Sequence, residues 1–195
     1  LWLSRLPGGL LHTNIGACAL MAATSGSSVA TAATLGVVAV PTMMAKGYNE
    51  RMLLGSVCAG GTLGILIPPS INMIIYGSIS NTSIGKLFIA GVIPGLLLAA
   101  SFSLVIGVIA IVKPPWVGGA VEPKTSFMDK LRTIPAFLPA AVIVFAIMGS
   151  IYLGWATPTE AAALGVFATL IIALIKKKVT VKFLHDSFVN TVKST

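Results

Sequence analysis

Apolar positions along this chain fall in long runs, cut at a few places by small, polar or conformationally special residues. The cuts carry more information than the runs. Residues 8–45 contain no Asp, Glu, Lys or Arg. One straight helix over that stretch would run about 57 Å at ~1.5 Å per residue, against a hydrocarbon core of ~30 Å. The cut lies at Thr24-Ser25-Gly26-Ser27-Ser28, so the pattern predicts two short helices, over 10–24 and 28–45, meeting at a tip. Each half is at or below the ~20 residues of a full span, and no charge or aromatic residue anchors the tip among headgroups. A re-entrant hairpin is therefore expected rather than two complete spans, although both choices return the chain to the same side.

The next apolar stretch, 52–79, is also free of charge and is expected to break at Gly60-Gly61-Thr62-Leu63-Gly64 and at Pro68-Pro69. Both prolines lack an N–H, and Pro69 pushes Pro68 out of the α region, so a helix must open here. Open backbone at membrane depth is tolerated only inside protein or against a polar cavity. The break is thus expected to serve a site. Further along, 87–112 reads as a span kinked at Pro94, 113–132 as a polar loop with a short helix from Ser126, and 133–153 and 158–175 as two more spans. In the tail, 179–195, Val181, Leu184, Phe188 and Val192 recur at helical spacing opposite Lys182, Asp186, Asn190 and Lys193. That is the pattern of an amphipathic helix lying on a membrane surface.

Composition narrows the class. Of 195 residues, 56% are apolar and 9% charged, where a soluble domain carries about 25% charged residues. The fold class expected is all-α integral membrane, with 8–112 as a hairpin, an interrupted helix and a span. The net charge of +8 forms no stripe for nucleic acid. Its basic residues cluster instead at Arg5 and Lys46, at Lys113 to Arg132 and at Lys176 to Lys178, which the crossing pattern places on one side as the cytoplasmic face. Cys18 and Cys58 sit in apolar segments with no ligand-like spacing and read as small buried hydrophobes. The chain opens on Leu1-Trp2-Leu3 without an initiator Met and reads as a fragment.

Several chemistries are weighed and set aside. Glu160 lies between spans, but Thr157-Pro158-Thr159-Glu160 has the form of a capping box, which explains it without function. His12 and His185 are too far along the chain from the tip serines, and no acid orients either, so a serine hydrolase is remote. Metal and phosphate-binding motifs are absent from the sequence. What the two cuts do offer is oxygen: the hydroxyls of Thr24, Ser25, Ser27 and Ser28 at the tip, and at the break the carbonyls of Gly61 to Pro68 and the hydroxyls of Thr62 and Ser70. Together with free helix ends, these suit a hard cation and an anionic solute. The bland alternative is that the small residues only let helices pack closely.

Ser25-Gly26-Ser27-Ser28-Val29-Ala30-Thr31-Ala32-Ala33, followed by Gly60 to Gly64 and Ile65-Leu66-Ile67-Pro68-Pro69-Ser70, closely resembles the large membrane subunit of tripartite ATP-independent periplasmic (TRAP) transporters. Thr82-Ser83-Ile84-Gly85-Lys86-Leu87-Phe88 and Thr157 to Ala163 extend the likeness. The resemblance implies an elevator-type secondary transporter, not an enzyme, of the cytoplasmic membrane, built from two inverted repeats of which this chain holds the first. It implies sodium as coupling ion and no other cofactor. It also implies an organic-anion substrate such as a dicarboxylate or sialic acid, a periplasmic binding protein and a small membrane subunit. Ser25, Ser27, Gly64, Ile67 and Pro69 would bind sodium, mostly through backbone oxygen. Ser28, Ser70 and Asn72 would face substrate, and no Arg at membrane depth is present to clamp a carboxylate. An ion-coupled permease that needs no binding protein is the alternative within the same logic.

Overall fold

The computed structural model of the protein describes residues 6–119, 134–177 and 179–194. Among these the regular structure is helical, apart from one isolated antiparallel bridge between Tyr48 and Gly118. The helices are α1 (Leu10–Ser25), α2 (Ser28–Met44), α3 (Glu50–Leu66), α4 (Ile71–Ser80), α5 (Ile84–Val112), α6 (Pro114–Val117), α7 (Ile134–Tyr152), α8 (Pro158–Ile175) and α9 (Val181–Ser194). Among the described residues three stretches are long and apolar enough to cross a membrane: Glu50–Ser80, Ile84–Val112 and Pro158–Ile175. The molecule is an all-α, multi-span helical bundle, in two compact units that meet in sequence between Ile134 and Pro135.

In the first unit α1 and α2 form the hairpin that the tip residues call for. Gly26 ends α1 in the left-handed conformation, φ 63°, with its N–H on the Ala22 carbonyl. Only glycine takes that conformation without a Cβ penalty, which makes it the usual residue just past a helix. Ser27 then caps α2, its hydroxyl accepting from the Ala30 N–H at 3.3 Å. Helix α3 packs along both arms, and α5 closes the far side. Leu11 and Ile15 of α1, Leu53, Val57 and Leu63 of α3 and Ile106 of α5 are buried together in this core.

At the open end of the hairpin a clasp forms around Tyr48. Its hydroxyl accepts from the Leu10 N–H at 2.9 Å, where α1 begins. The flanking backbone pairs with the segment after α5, Asn49 N–H to the Val117 carbonyl and Gly119 N–H to the Gly47 carbonyl. The start of α1, the turn after α2 and the segment after α5 therefore meet around one residue. Helix α6 occupies the start of the segment expected to be a loop, because Pro114 and Pro115 need no helical N–H partner in a first turn. The short helix expected from Ser126 lies outside the described residues.

Two other expectations change. Gly60 to Gly64 are helical, so the break in 52–79 is confined to Ile67–Ser70. The glycines serve contact instead: a Cβ on Gly60 would lie 2.6 Å from the Cys18 sulfur, and one on Gly61 2.7 Å from the Ala32 Cβ. Cys18 is buried as expected, but Cys58 is exposed on the opposite face of α3, and both thiols are free.

In the second unit α8 starts with the capping box. Thr157 N–H donates to a Glu160 carboxylate oxygen at 2.7 Å, and the Glu160 N–H returns to the Thr157 hydroxyl at 3.4 Å. On α9, Val181, Leu184, Phe188 and Val192 are all exposed, an apolar stripe with the amphipathic pattern read from the tail.

Candidate functional site

The site is where the hairpin tip meets the break in the third helix. Helix α3 stops at Leu66 because prolines stand four residues beyond its last carbonyls. Pro68 has no N–H for the Gly64 carbonyl, and Pro69 has none for that of Ile65. The Ile65 carbonyl is satisfied by the Ser70 hydroxyl, which donates to it at 2.7 Å from a fully buried position. Ser70 thus stands in for the missing N–H, and its side chain is no longer free to cap α4, whose N-terminus has no side-chain cap.

The tip is joined to this break through backbone. Ile71 N–H donates to the Gly26 carbonyl at 3.1 Å. A Cβ on Gly26 would sit 2.8 Å from the Pro69 carbonyl oxygen, and one on Gly64 would sit 2.8 Å from the Ser27 carbonyl carbon and the Ser28 nitrogen. Neither contact leaves room for a side chain. From the other side α5 passes over the break at Gly91 and Gly95, against Leu66 and Ile67.

Of the residues singled out for sodium, all five fall at this junction. The Ser25 hydroxyl lies 2.9 Å from that of Thr31, which is fully buried, and it also accepts weakly from the Ser27 N–H at 3.4 Å. Ser27 and Gly64 meet backbone to backbone, Ile67 caps α3, and the Pro69 carbonyl lies over Gly26. Of those singled out for substrate, Ser28 opens α2 and Asn72 is exposed on the first turn of α4. Ser70 is at the junction, with its hydroxyl spent on Ile65. Reading the sequence missed Thr31 as a partner, which only the folded hairpin brings to Ser25; the Ile65 carbonyl lies within the stretch offered by the break, but its use by Ser70 was not foreseen.

Four helix ends meet here: the C-termini of α1 and α3, and the N-termini of α2 and α4. The first pair gathers the partial negative charge of the macrodipole and the second the positive. Carbonyl and hydroxyl oxygens are close to the first pair, whereas free N–H groups are at the second. The arrangement has chemistry for a hard cation and for an acidic group side by side. It has none for nucleophilic catalysis: His12, at the far end of α1, is buried with Nε2 donating to the Pro7 carbonyl at 2.7 Å.

Comparison with known proteins gives the chain its family. A family profile described as the tripartite ATP-independent periplasmic transporter, DctM component, matches residues 2–195. The C4-dicarboxylate TRAP transporter large permease protein of Pseudomonas aeruginosa is 44% identical over 170 residues, 87% of this chain and 39% of that one. The ectoine TRAP transporter large permease protein of Halomonas elongata is 37% identical over 174 residues, 89% of this chain and 40% of that one. The isethionate TRAP transporter permease protein of Oleidesulfovibrio alaskensis is 39% identical over 171 residues, 87% and 26% of the two chains. The chain spans about two fifths or less of the length of these relatives. With the profile matching almost every residue, this multi-pass protein of the cytoplasmic membrane belongs to the DctM component family of TRAP transporters, a family of transporters and not of enzymes.

Proposed function

We propose that the chain provides the first ion-binding repeat of a sodium-coupled, elevator-type secondary transporter that imports an organic anion. The hairpin α1–α2 is re-entrant, and α3–α4 is a single transmembrane helix unwound at Ile67–Ser70. Sodium is held at their junction by carbonyls of Ser27, Gly64, Ile67 and Pro69 and by the Ser25 hydroxyl. The acidic group of the solute lies beside it, at the uncapped first turn of α4 around Ser70 and Asn72 and at the start of α2 around Ser28. The solute arrives from a periplasmic binding protein, and a small membrane subunit completes the assembly.

The observation that carries this reading is the backbone hydrogen bond from Ile71 to Gly26, which holds both interrupted helices in one place. Pro68 and Pro69 support it, because they put carbonyl oxygen at membrane depth that must be used. The relatives named for C4-dicarboxylates, ectoine and isethionate support a small polar organic solute.

The test is solute uptake into proteoliposomes that contain the complete permease and its small subunit, with the binding protein outside. Uptake that needs external sodium, and that falls when Gly64 is enlarged, is expected. Uptake indifferent to sodium, or to the binding protein, would sink the corresponding half of the proposal.

A further inference from the structure

Helices α1 and α3 share a buried polar pair about 17 Å along the helix from Ser25. The Asn14 amide nitrogen donates to the Ser56 hydroxyl at 2.8 Å, and that hydroxyl donates to the Leu53 carbonyl at 2.7 Å. Asn14 is 3% exposed and Ser56 4%. Among the described residues this is the one side-chain hydrogen bond between α1 and α3. As a source of stability the pair is poor. The Asn14 side-chain oxygen is buried with no hydrogen-bond partner among the described residues, and a half-satisfied buried amide is worse than an apolar side chain of the same shape.

What the pair supplies is register. The two helices run in the same direction, and their contacts step by four residues on each: Asn14 against Ser56, then Cys18 against Gly60. Gly64 follows on α3, under the Ser27 peptide. A seam of small residues does not choose between positions a turn apart. Slid by four residues, about 6 Å, Cys18 would face Gly64 or Ser56, each a small partner again. Asn14 would face Gly60 or Met52, neither of which carries a side-chain oxygen to accept from its amide. An orphaned buried amide is costly, and a single buried Asn sets the register of packed helices by this means. We infer that Asn14, through Ser56, is a positioning residue for the junction at the tip: it fixes α1 along α3 and so holds Ser25 and Ser27 level with the break. The inference rests on the sodium reading of that junction, whose ligands must stay within about 0.5 Å of their places.

The test is a sodium titration of the intact permease complex in detergent, with sodium chloride replacing choline chloride at constant ionic strength and the melting temperature followed. Asn14→Leu removes the bond and orphans nothing, because Ser56 still donates to the Leu53 carbonyl. Its melting temperature in choline alone should equal or exceed that of the unaltered complex. Its half-saturating sodium should nevertheless rise by about tenfold, the lower end of the loss when a group that orients metal ligands is removed. Ser56→Ala should raise half-saturating sodium by a similar factor and, having orphaned the Asn14 amide, lower the melting temperature in choline as well. Half-saturating sodium that stays in place, whatever the melting temperature does, would overturn the proposal and leave the pair as packing alone. An unaltered complex that melts alike in sodium and in choline would overturn the sodium reading, and this inference with it. If Asn14→Leu does not fold, the half-saturating sodium of Ser56→Ala decides.

Discussion

The two long helical stretches of the first unit obey opposite rules. Glu50–Ser80 is the less apolar, yet 44% of its most apolar window is buried against protein, whereas the more apolar Ile84–Val112 has 11% buried. In water the greasier helix would be the inner one. In lipid, apolar surface gains nothing by leaving the tails, and helices associate where small residues let backbones approach and polar groups find partners. Helix α3 has that seam in Gly60, Gly61 and Gly64, and α5 instead turns Leu97, Val105 and Val108 outward. Position in this fold is decided by side-chain size and backbone access more than by hydrophobicity.

That contrast can be broken most sharply at the tip. Gly64→Val should cut sodium-dependent uptake by at least about tenfold, since displacing the Ser27 peptide by even ~1.4 kcal/mol of lost geometry equals that factor. Gly26→Ala should do the same through its left-handed φ, which costs a non-glycine residue roughly 1–2 kcal/mol, before the contact with Pro69 is counted. Both are read as initial uptake rates at graded sodium, with the expression level checked. Next comes Ser70→Ala. It takes the side-chain donor away from the Ile65 carbonyl, a loss of about 1 kcal/mol, and should lower both melting temperature and apparent sodium affinity.

Within the seam, Gly60→Ala should cost about 1–3 kcal/mol by overpacking against Cys18. Cys18→Ala should recover most of it, and a double-mutant cycle on thermal stability measures the recovery. No recovery would mean that the glycine is there for backbone reasons and not for contact. Tyr48→Phe, which unties the clasp from the Leu10 N–H, should cost about 1 kcal/mol. The smallest effect is expected on the open face of α5, where Leu97→Ala should move stability by less than about 0.5 kcal/mol. A larger loss there would show that protein rather than lipid covers that face.

Much of this was legible in the sequence because proline, glycine and charge act locally. Gly26 between two apolar arms marks a helix end, Pro68-Pro69 marks a break, and Thr157 to Glu160 marks a cap; the structure has all three. The glycines from 60 to 64 misled, since the same residue serves for unwinding a helix and for letting two pack closely. Only the partner, Cys18 or Ala32, distinguishes the uses, and partners are a property of the folded chain. Thr31 beside Ser25 and Tyr48 beside Leu10 were hidden for the same reason. Ser70 was recognised as belonging to the junction, but the carbonyl it serves depends on how the chain turns after Leu66.

The bond that joins the tip to the break runs from one main chain to another. Neither Gly26 nor Ile71 lends it a side chain. A saturation scan across this junction should therefore sort substitutions by bulk rather than by polarity. At Ile71 an exchange of similar volume should pass, charge aside, while at Gly26 and Gly64 every replacement should fail in order of size. A laboratory seeking a permease for a different solute would gain little by redrawing these positions. On the proposed reading, the room for new specificity is the exposed first turn of α4, where Asn72 can be replaced without touching the bond that holds the two helices together.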